Sequence, residues 1–109
     1  MRGRTPKDVA SVSDPIEWLD KLEKARPRDC TFLTQELVDL VGSPPIPPLR
    51  PDMIEHFKVI HLISLNADDR RLRVYLRMGE AASDDERAAI RAESRFWENV
   101  RDWANSMAS

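Results

Sequence analysis

Two histidines are the first candidates for chemistry in this chain. His56 and His61 are five positions apart, whereas two metal ligands on one helix need a spacing of three or four. Asp52 and His56 do have that spacing, but two ligands alone do not form a metal site. We therefore predict no metal and no cofactor. His61 projects between Phe57 and Leu65 on a helix, and we expect it to be a hydrogen-bonded core residue.

Cys30 is the single cysteine of the 109 residues, so the chain has no internal disulfide to form. It directly precedes Thr31, a candidate helix cap, and the N-terminus of a helix favours a reactive thiolate. Asp29 opposes this effect with its negative charge, and no histidine is close in sequence. We favour a half-buried structural thiol over a reactive one.

Glu93 projects into the apolar stripe of the last predicted helix. It pairs there with an arginine from a neighbouring helix, lies at the edge of the stripe, or is a buried functional acid. The chain has no phosphate-binding glycine loop, no dinucleotide fingerprint, no H-E-x-x-H, no G-x-S-x-G and no paired C-x-x-C. We therefore predict that the protein is not an enzyme.

Arginines recur at helical spacing in two rows, and two such rows would suit phosphate or RNA. Asp84 and Glu98 stand three residues from arginines of the second row, which is typical of a solvated face of mixed charge. The net charge of −2 also gives no general attraction to nucleic acid. Nucleic-acid binding is kept as the alternative function, with these residues: Arg70, Arg73, Arg77, Arg87, Arg91 and Arg95.

The stretch GSPPIPPLRPD holds five prolines close together. Pro45, Pro48 and Arg50 resemble the P-x-x-P-x-R ligand pattern of SH3 domains, and that resemblance implies a polyproline II peptide bound by an SH3 partner. The same prolines would also end one helix and hold the next at a fixed distance. We interpret residues 43–51 as a connector rather than a ligand.

Composition sets the class of protein. Charged residues make up 33% of the chain and hydrophobic residues 41%, which is typical of a soluble globular domain. No apolar run is long enough to cross a bilayer, and the basic N-terminus lacks the apolar core of a secretion signal. We therefore expect a cytoplasmic protein without membrane contact, and the preference for arginine over lysine indicates a bacterial source.

Caps and breakers predict the first two helices, after a flexible arm over residues 1–13. The first helix begins at Asp14 and ends before Pro27. The second begins with Thr31 as its cap and ends at Gly42. Its inward-facing side chains are predicted to be Phe32, Leu33, Leu37, Leu40 and Val41.

The middle of the chain allows two interpretations. A third helix, from Pro51 to Asn66, is apolar around almost its whole circumference, so we expect it to be central and buried. A fourth helix runs from Asn66 to Gly79 with acidic residues in its first turn. Apolar and polar residues also alternate after position 71, so the alternative is an α+β fold with a β-hairpin at 57–78. The end signals favour helices.

The last helix has the clearest pattern. Ser83 and Glu86 form a capping box, and no glycine or proline follows. Its apolar band approximates a heptad seam, so we predict that this band binds a protein partner, with a homodimer as one candidate. The alternative is that the band is the core of the monomer. The band consists of Phe96, Trp97, Val100, Trp103 and Met107.

These patterns together predict an all-α compact bundle of about five helices, forming a single domain over residues 14–109 with a long C-terminal helix. The predicted function is that of a small non-catalytic bacterial adaptor, regulator or inhibitor, which acts by binding another protein through a helical surface.

Overall fold

The structure of the protein, a computed structural model, describes residues 14–47 and 54–107. These ranges contain no strand, so the all-α prediction is confirmed for them and the hairpin at 57–78 is wrong. The described residues form four helices and one short 3₁₀ turn rather than five helices. The elements are α1 (Pro15–Ala25), α2 (Gln35–Val41), α3 (Ile54–Leu76), the 3₁₀ turn (Arg77–Glu80) and α4 (Asp84–Met107).

Local signals set both ends of α1. The Asp14 carboxylate accepts a hydrogen bond of 2.9 Å from the backbone N–H of Ile16, and Pro15 occupies the first turn, where its missing N–H costs nothing. The helix ends because Pro27 favours an extended backbone at Arg26, which has φ −62° and ψ 126°. The buried face of α1 consists of Trp18, Leu19 and Leu22.

Helix α2 begins later than the sequence predicts. Its cap is Thr34, whose hydroxyl accepts from the N–H of Leu37, so the assignment of the cap to Thr31 is wrong. Phe32 precedes the helix and is 63% exposed, and Leu40 lies on the outer side of the helix and is 70% exposed, so the prediction that these two side chains face inward is wrong. Gly42 ends the helix as predicted, with a φ of +96° that side chains other than glycine rarely adopt.

Helix α3 is one helix where the sequence predicts two. Asn66 does not cap a new helix, because its side chain donates to the carbonyl of Leu62 one turn earlier within the same helix. Asp68 and Asp69 likewise form ion pairs with the arginines three and four positions later, instead of interacting with a helix N-terminus. The 3₁₀ turn and the loop after it lead directly into α4.

Helix α4 matches its predicted start. Ser83 accepts from the N–H of Glu86 at 3.1 Å, and the Glu86 carboxylate accepts from the N–H of Ala82. The reciprocal bond of the capping box therefore falls on the residue before the cap.

The core lies where α3 and α4 pack as an antiparallel hairpin and α1 and α2 cover its side. Trp18 joins these parts, because it is fully buried, its ring centroid is 5.9 Å from that of Trp103, and its indole N–H donates to the Gly42 carbonyl at 2.9 Å. Helix α3 contributes only one face to this core and is therefore not the central, fully buried helix that the sequence predicts. Its buried residues are Ile60, Ile63, Ser64, Ala67 and Val74.

The proline connector is described up to Pro47. Ile46 packs against the core, and the Pro47 carbonyl lies 2.8 Å from the His56 ring nitrogen Nδ1 near the start of α3. These two contacts hold the connector to the helices that it joins. Pro48 and Arg50 of the SH3-ligand pattern, and the predicted arm over 1–13, lie outside the described residues.

Candidate interaction surface

The main surface feature is the exposed face of α3, opposite the buried residues of this helix; near its start it borders Asn105 of α4. Positions three and four apart fall on one side of a helix, and one such set follows this face along the whole length of α3. We call this set the outer row. Its members are all exposed: Ile54, Lys58, His61, Leu65, Asp69, Leu72 and Leu76.

The outer row is rich in aliphatic side chains. Ile54 is 67% exposed, Leu65 55%, Leu72 48% and Leu76 75%. Three further exposed apolar side chains flank the row and add to its apolar surface, which Lys58, His61 and Asp69 interrupt. The flanking residues are Phe57, Leu62 and Tyr75. The prediction that this helix is buried around its whole circumference is therefore wrong, because only one of its faces is buried.

His61 belongs to the outer row, so the prediction that it is a core histidine is wrong. His56 lies on a different side of the helix and is half-buried against the connector. Across residues 14–47 and 54–107, no three histidine, cysteine, aspartate or glutamate side chains come together in a group that could hold a metal ion.

The apolar band of α4, predicted to bind a partner, lies mostly inside the monomer. Phe96, Trp97 and Val100 have no exposed surface, and Trp103 is half-buried against Trp18. Met107 is 38% exposed and is the most exposed member of the band. The position of the band corresponds to the alternative that the sequence left open, in which the band is the monomer's own core. Self-association remains a prediction, but these buried side chains do not provide its surface.

The two predicted arginine rows are mostly engaged with carboxylates. Arg73 pairs with Asp69 within α3, and Arg87 with Asp84 within α4. Of the six predicted residues, Arg91 alone has no carboxylate partner in the described part of the chain. The other pairs are Arg70 with Asp20 and Glu23, Arg77 with Glu93, and Arg95 with Glu98.

Arg70 connects three helices and is not an exposed surface charge. Its side chain is only 12% exposed, and its guanidinium bonds to Asp20 at 2.6 Å and to Glu23, both on α1. The same guanidinium lies over the indole of Trp97 on α4, 5.3 Å from the ring centroid. Periodicity alone does not show this role, because both carboxylates are about 50 residues away in sequence.

Arg26 organises the loop between α1 and α2. Its Nε donates to the Cys30 carbonyl at 2.9 Å, and its guanidinium lies 5.3 Å from the ring centroid of Phe96. Burial lowers the pKa of Arg26 from its ordinary value, although nearby acidic groups oppose the change.

Cys30 is a free, half-buried thiol that packs against the core, and its Sγ is 3.0 Å from the Phe32 carbonyl. Because α2 begins only at Gln35, Cys30 is not beside a helix start, and the argument for a reactive thiolate does not apply to it.

Glu93 forms an ion pair of 2.8 Å with Arg77, which belongs to the 3₁₀ turn, and its side chain is 22% exposed. Of the three roles considered from sequence, the structure shows the pair with an arginine of a neighbouring element. Both residues line a shallow cleft that also contains Arg28, Glu80 and Glu86. The mixed charges of this cleft largely compensate one another.

Asp68 joins α3 to α4. It accepts a hydrogen bond of 2.8 Å from Arg101 and one of 3.0 Å from Arg71. The bond from Arg101, followed by that from Arg71, holds the pKa of the Asp68 carboxyl below its usual range, and the bond to Asp68 raises the pKa of Arg101. The pair of Asp68 and Arg101 therefore holds α3 and α4 together on the side of the hairpin that adjoins the outer row.

Among the helices in the described ranges, none has both the length and the apolar character required to span a bilayer. Comparison of the chain with protein-family models, with curated proteins and with solved structures gives no match.

Proposed function

We propose that the protein is a small non-catalytic interaction module, which binds an amphipathic helix of a protein partner along the outer face of α3. In that capacity it acts as an adaptor, regulator or inhibitor. The observation that supports this proposal is the outer row, in which four large aliphatic side chains are between 48% and 75% exposed on one helix face. Soluble monomers rarely expose a continuous apolar patch larger than about a few hundred Å² without using it for binding.

The shape and charge of the face suit a helix. Apolar side chains at intervals of three and four match the apolar stripe of an amphipathic helix laid alongside them. The charged members of the row differ in sign along the helix, with Lys58 in the first half of α3 and Asp69 in the second. A bound helix with the opposite order of charges would be favoured in one direction over the other.

The arginine rows give weaker support to the nucleic-acid alternative. Five of the six arginines already form ion pairs with carboxylates. Phosphate would have to displace those carboxylates, and their negative charge would repel the nucleic-acid backbone. The outer row needs no such rearrangement before it binds.

The test compares two variants of the full chain in capture from native lysate. The double substitution Leu65→Asp with Leu72→Asp places charge in the middle of the outer row. Arg91→Asp introduces the same residue at an exposed position of α4. We expect the wild type and Arg91→Asp to retain one protein at stoichiometric yield, and the double variant to lose it while keeping its helical circular dichroism.

Equal capture by all three proteins would contradict the proposal. A random RNA or DNA probe that binds the wild type, binds Arg91→Asp more weakly and dissociates steeply with salt would favour the nucleic-acid alternative.

A further inference from the structure

We infer that the helix bound by the outer row is α3 of a second copy of this chain, packed antiparallel about a two-fold axis at Leu65. The inference rests on the proposed function, because it names the occupant of the same surface. It assigns self-association to α3 rather than to the apolar band of α4, whose large side chains are buried.

The spacing of the outer row is compatible with a two-fold pair of α3 helices. Its successive members are separated by 4, 3, 4, 4, 3 and 4 residues, and this order is the same from either end. When two antiparallel copies cross at Leu65, every member of the row therefore meets another member. A two-fold interface needs this property, because the same patch must complement itself. Any straight face of an α-helix has nearly this spacing, because one turn contains about 3.6 residues. The choice between a second copy and an unrelated helix therefore depends on which side chains meet.

The side chains that meet in this arrangement favour a second copy as the partner. Ile54 of one copy lies opposite Leu76 of the other, and Leu65 lies opposite its own copy, so apolar side chains cover one another at the centre and at both ends. Lys58 lies opposite Leu72, where its methylene chain covers the leucine while the ammonium group extends to solvent.

The remaining polar pair is also complementary. His61 of one copy lies opposite Asp69 of the other, and an imidazole N–H donates to a carboxylate. Asp69 is 58% exposed and already accepts from Arg73, so the second oxygen of its carboxylate is open to a further donor. Two-fold symmetry forms this bond twice.

A parallel pair would lose these matches. In register, it would place Asp69 against Asp69 and Lys58 against Lys58, and like charges at such short distances repel. The antiparallel arrangement therefore follows from the order of charges along the helix.

A second copy would be in contact over most of the length of α3. Helix α3 has 23 residues and, at about 1.5 Å per residue, extends for roughly 35 Å. The outer row covers that whole length with three-and-four spacing, which is the spacing of a helical seam.

The experiment measures the mass of the full chain by light scattering from about 1 to about 100 µM, a range that detects micromolar dissociation constants. We expect the mass of two chains at the upper end. Leu65→Asp places two carboxylates at the two-fold axis, so we expect the mass of one chain with unchanged helicity. Arg91→Asp serves as the matched control and should remain a dimer.

Cysteine pairs test the register in a Cys30→Ser background, which keeps a hydrogen-bond donor to the Phe32 carbonyl. We expect Leu65→Cys to form a disulfide-linked dimer under mild oxidation, because residue 65 meets its own copy. His61→Cys alone should stay unlinked, whereas His61→Cys with Asp69→Cys should link. Arg91→Cys, on α4, should stay unlinked.

The mass of one chain at every concentration, with no link through residue 65, would overturn the inference. If capture of another protein still depended on Leu65, the proposed function would stand with a different partner. If that capture were also unaffected, both would fail. Linking through His61→Cys alone would show a parallel pair and overturn the antiparallel register.

Discussion

The two long helices, α3 and α4, are similar in length but differ in how they use their apolar residues. Helix α4 has one apolar stripe, and the monomer buries nearly all of it. Helix α3 has apolar residues on two opposite faces, and the monomer buries only the face against α4. The comparison shows that a helix apolar all round need not be buried all round, because the monomer covers only one of the two apolar faces of α3. The other face is the surface for which we propose a partner.

The largest predicted difference in the free energy of unfolding is between substitutions on the two faces of α3. Ile63 has no exposed surface, so Ile63→Ala should lower the free energy of unfolding by about 2–4 kcal/mol through lost burial and a cavity. Leu65→Ala, two residues away on the outer row, should change the unfolding of the monomer by less than about 0.5 kcal/mol. Urea denaturation at low protein concentration measures both. Equal losses would mean that the outer face is covered within the monomer.

A smaller difference in stability is expected between two fully buried tryptophans, Trp18 of α1 and Trp97 of α4. The indole N–H of Trp18 donates to Gly42, whereas the N–H of Trp97 is buried without an acceptor among residues 14–47 and 54–107. Trp18→Phe and Trp97→Phe remove similar volumes, but only the first breaks a hydrogen bond. We expect Trp18→Phe to cost about 0.5–1.5 kcal/mol more than Trp97→Phe.

Thermal and urea unfolding of the two phenylalanine variants provide the measurement, with the wild type as reference. A greater loss for Trp97→Phe would contradict this expectation and would show that the contact between the Trp97 ring and Arg70 outweighs the hydrogen bond of Trp18.

The smallest predicted change in stability concerns the ion pair between Asp68 of α3 and Arg101 of α4. Because hydrogen bonds lower the pKa of Asp68 in the folded protein, its contribution to stability is complete above the ordinary carboxyl value of 3.8. That contribution is lost as the pH falls from there through the lower folded-state pKa. We expect Asp68→Asn to be less stable than the wild type at neutral pH, and the difference to shrink in acid.

Unfolding measured at several pH values from neutral to strongly acidic gives this difference. Asp85→Asn, at an exposed position in the first turn of α4, is the matched control. A stability gap between wild type and Asp68→Asn that stays constant through the acid range would contradict the role assigned to the pair.

The sequence predicted the elements whose signals are local. Asp14 with Pro15, and Ser83 with Glu86, identify the starts of α1 and α4 because caps act within one turn. The start of α2 was wrong because Thr31 and Thr34 offer the same cap chemistry. The break at Asn66 was wrong because acidic residues that pair with later arginines inside a helix look like those at a helix start.

The candidate surface could be predicted only in part. The apolar character of the outer face of α3 is visible in the sequence, but periodicity does not say whether the rest of the chain covers it. The pairing of Arg70 with Asp20 and Glu23 depends on how α1 packs on α3, and no local pattern contains that information.

The contacts of Arg70 with α1 and α4 also limit which substitutions related sequences can carry at this position. A lysine there would keep the charge but lose the planar fork that reaches two carboxylates and stacks on an indole at the same time. Loss of either carboxylate would leave part of a mostly buried cation uncompensated. Related chains that replace Arg70 are therefore expected to replace Asp20, Glu23 and Trp97 together, so four distant positions would evolve as one unit.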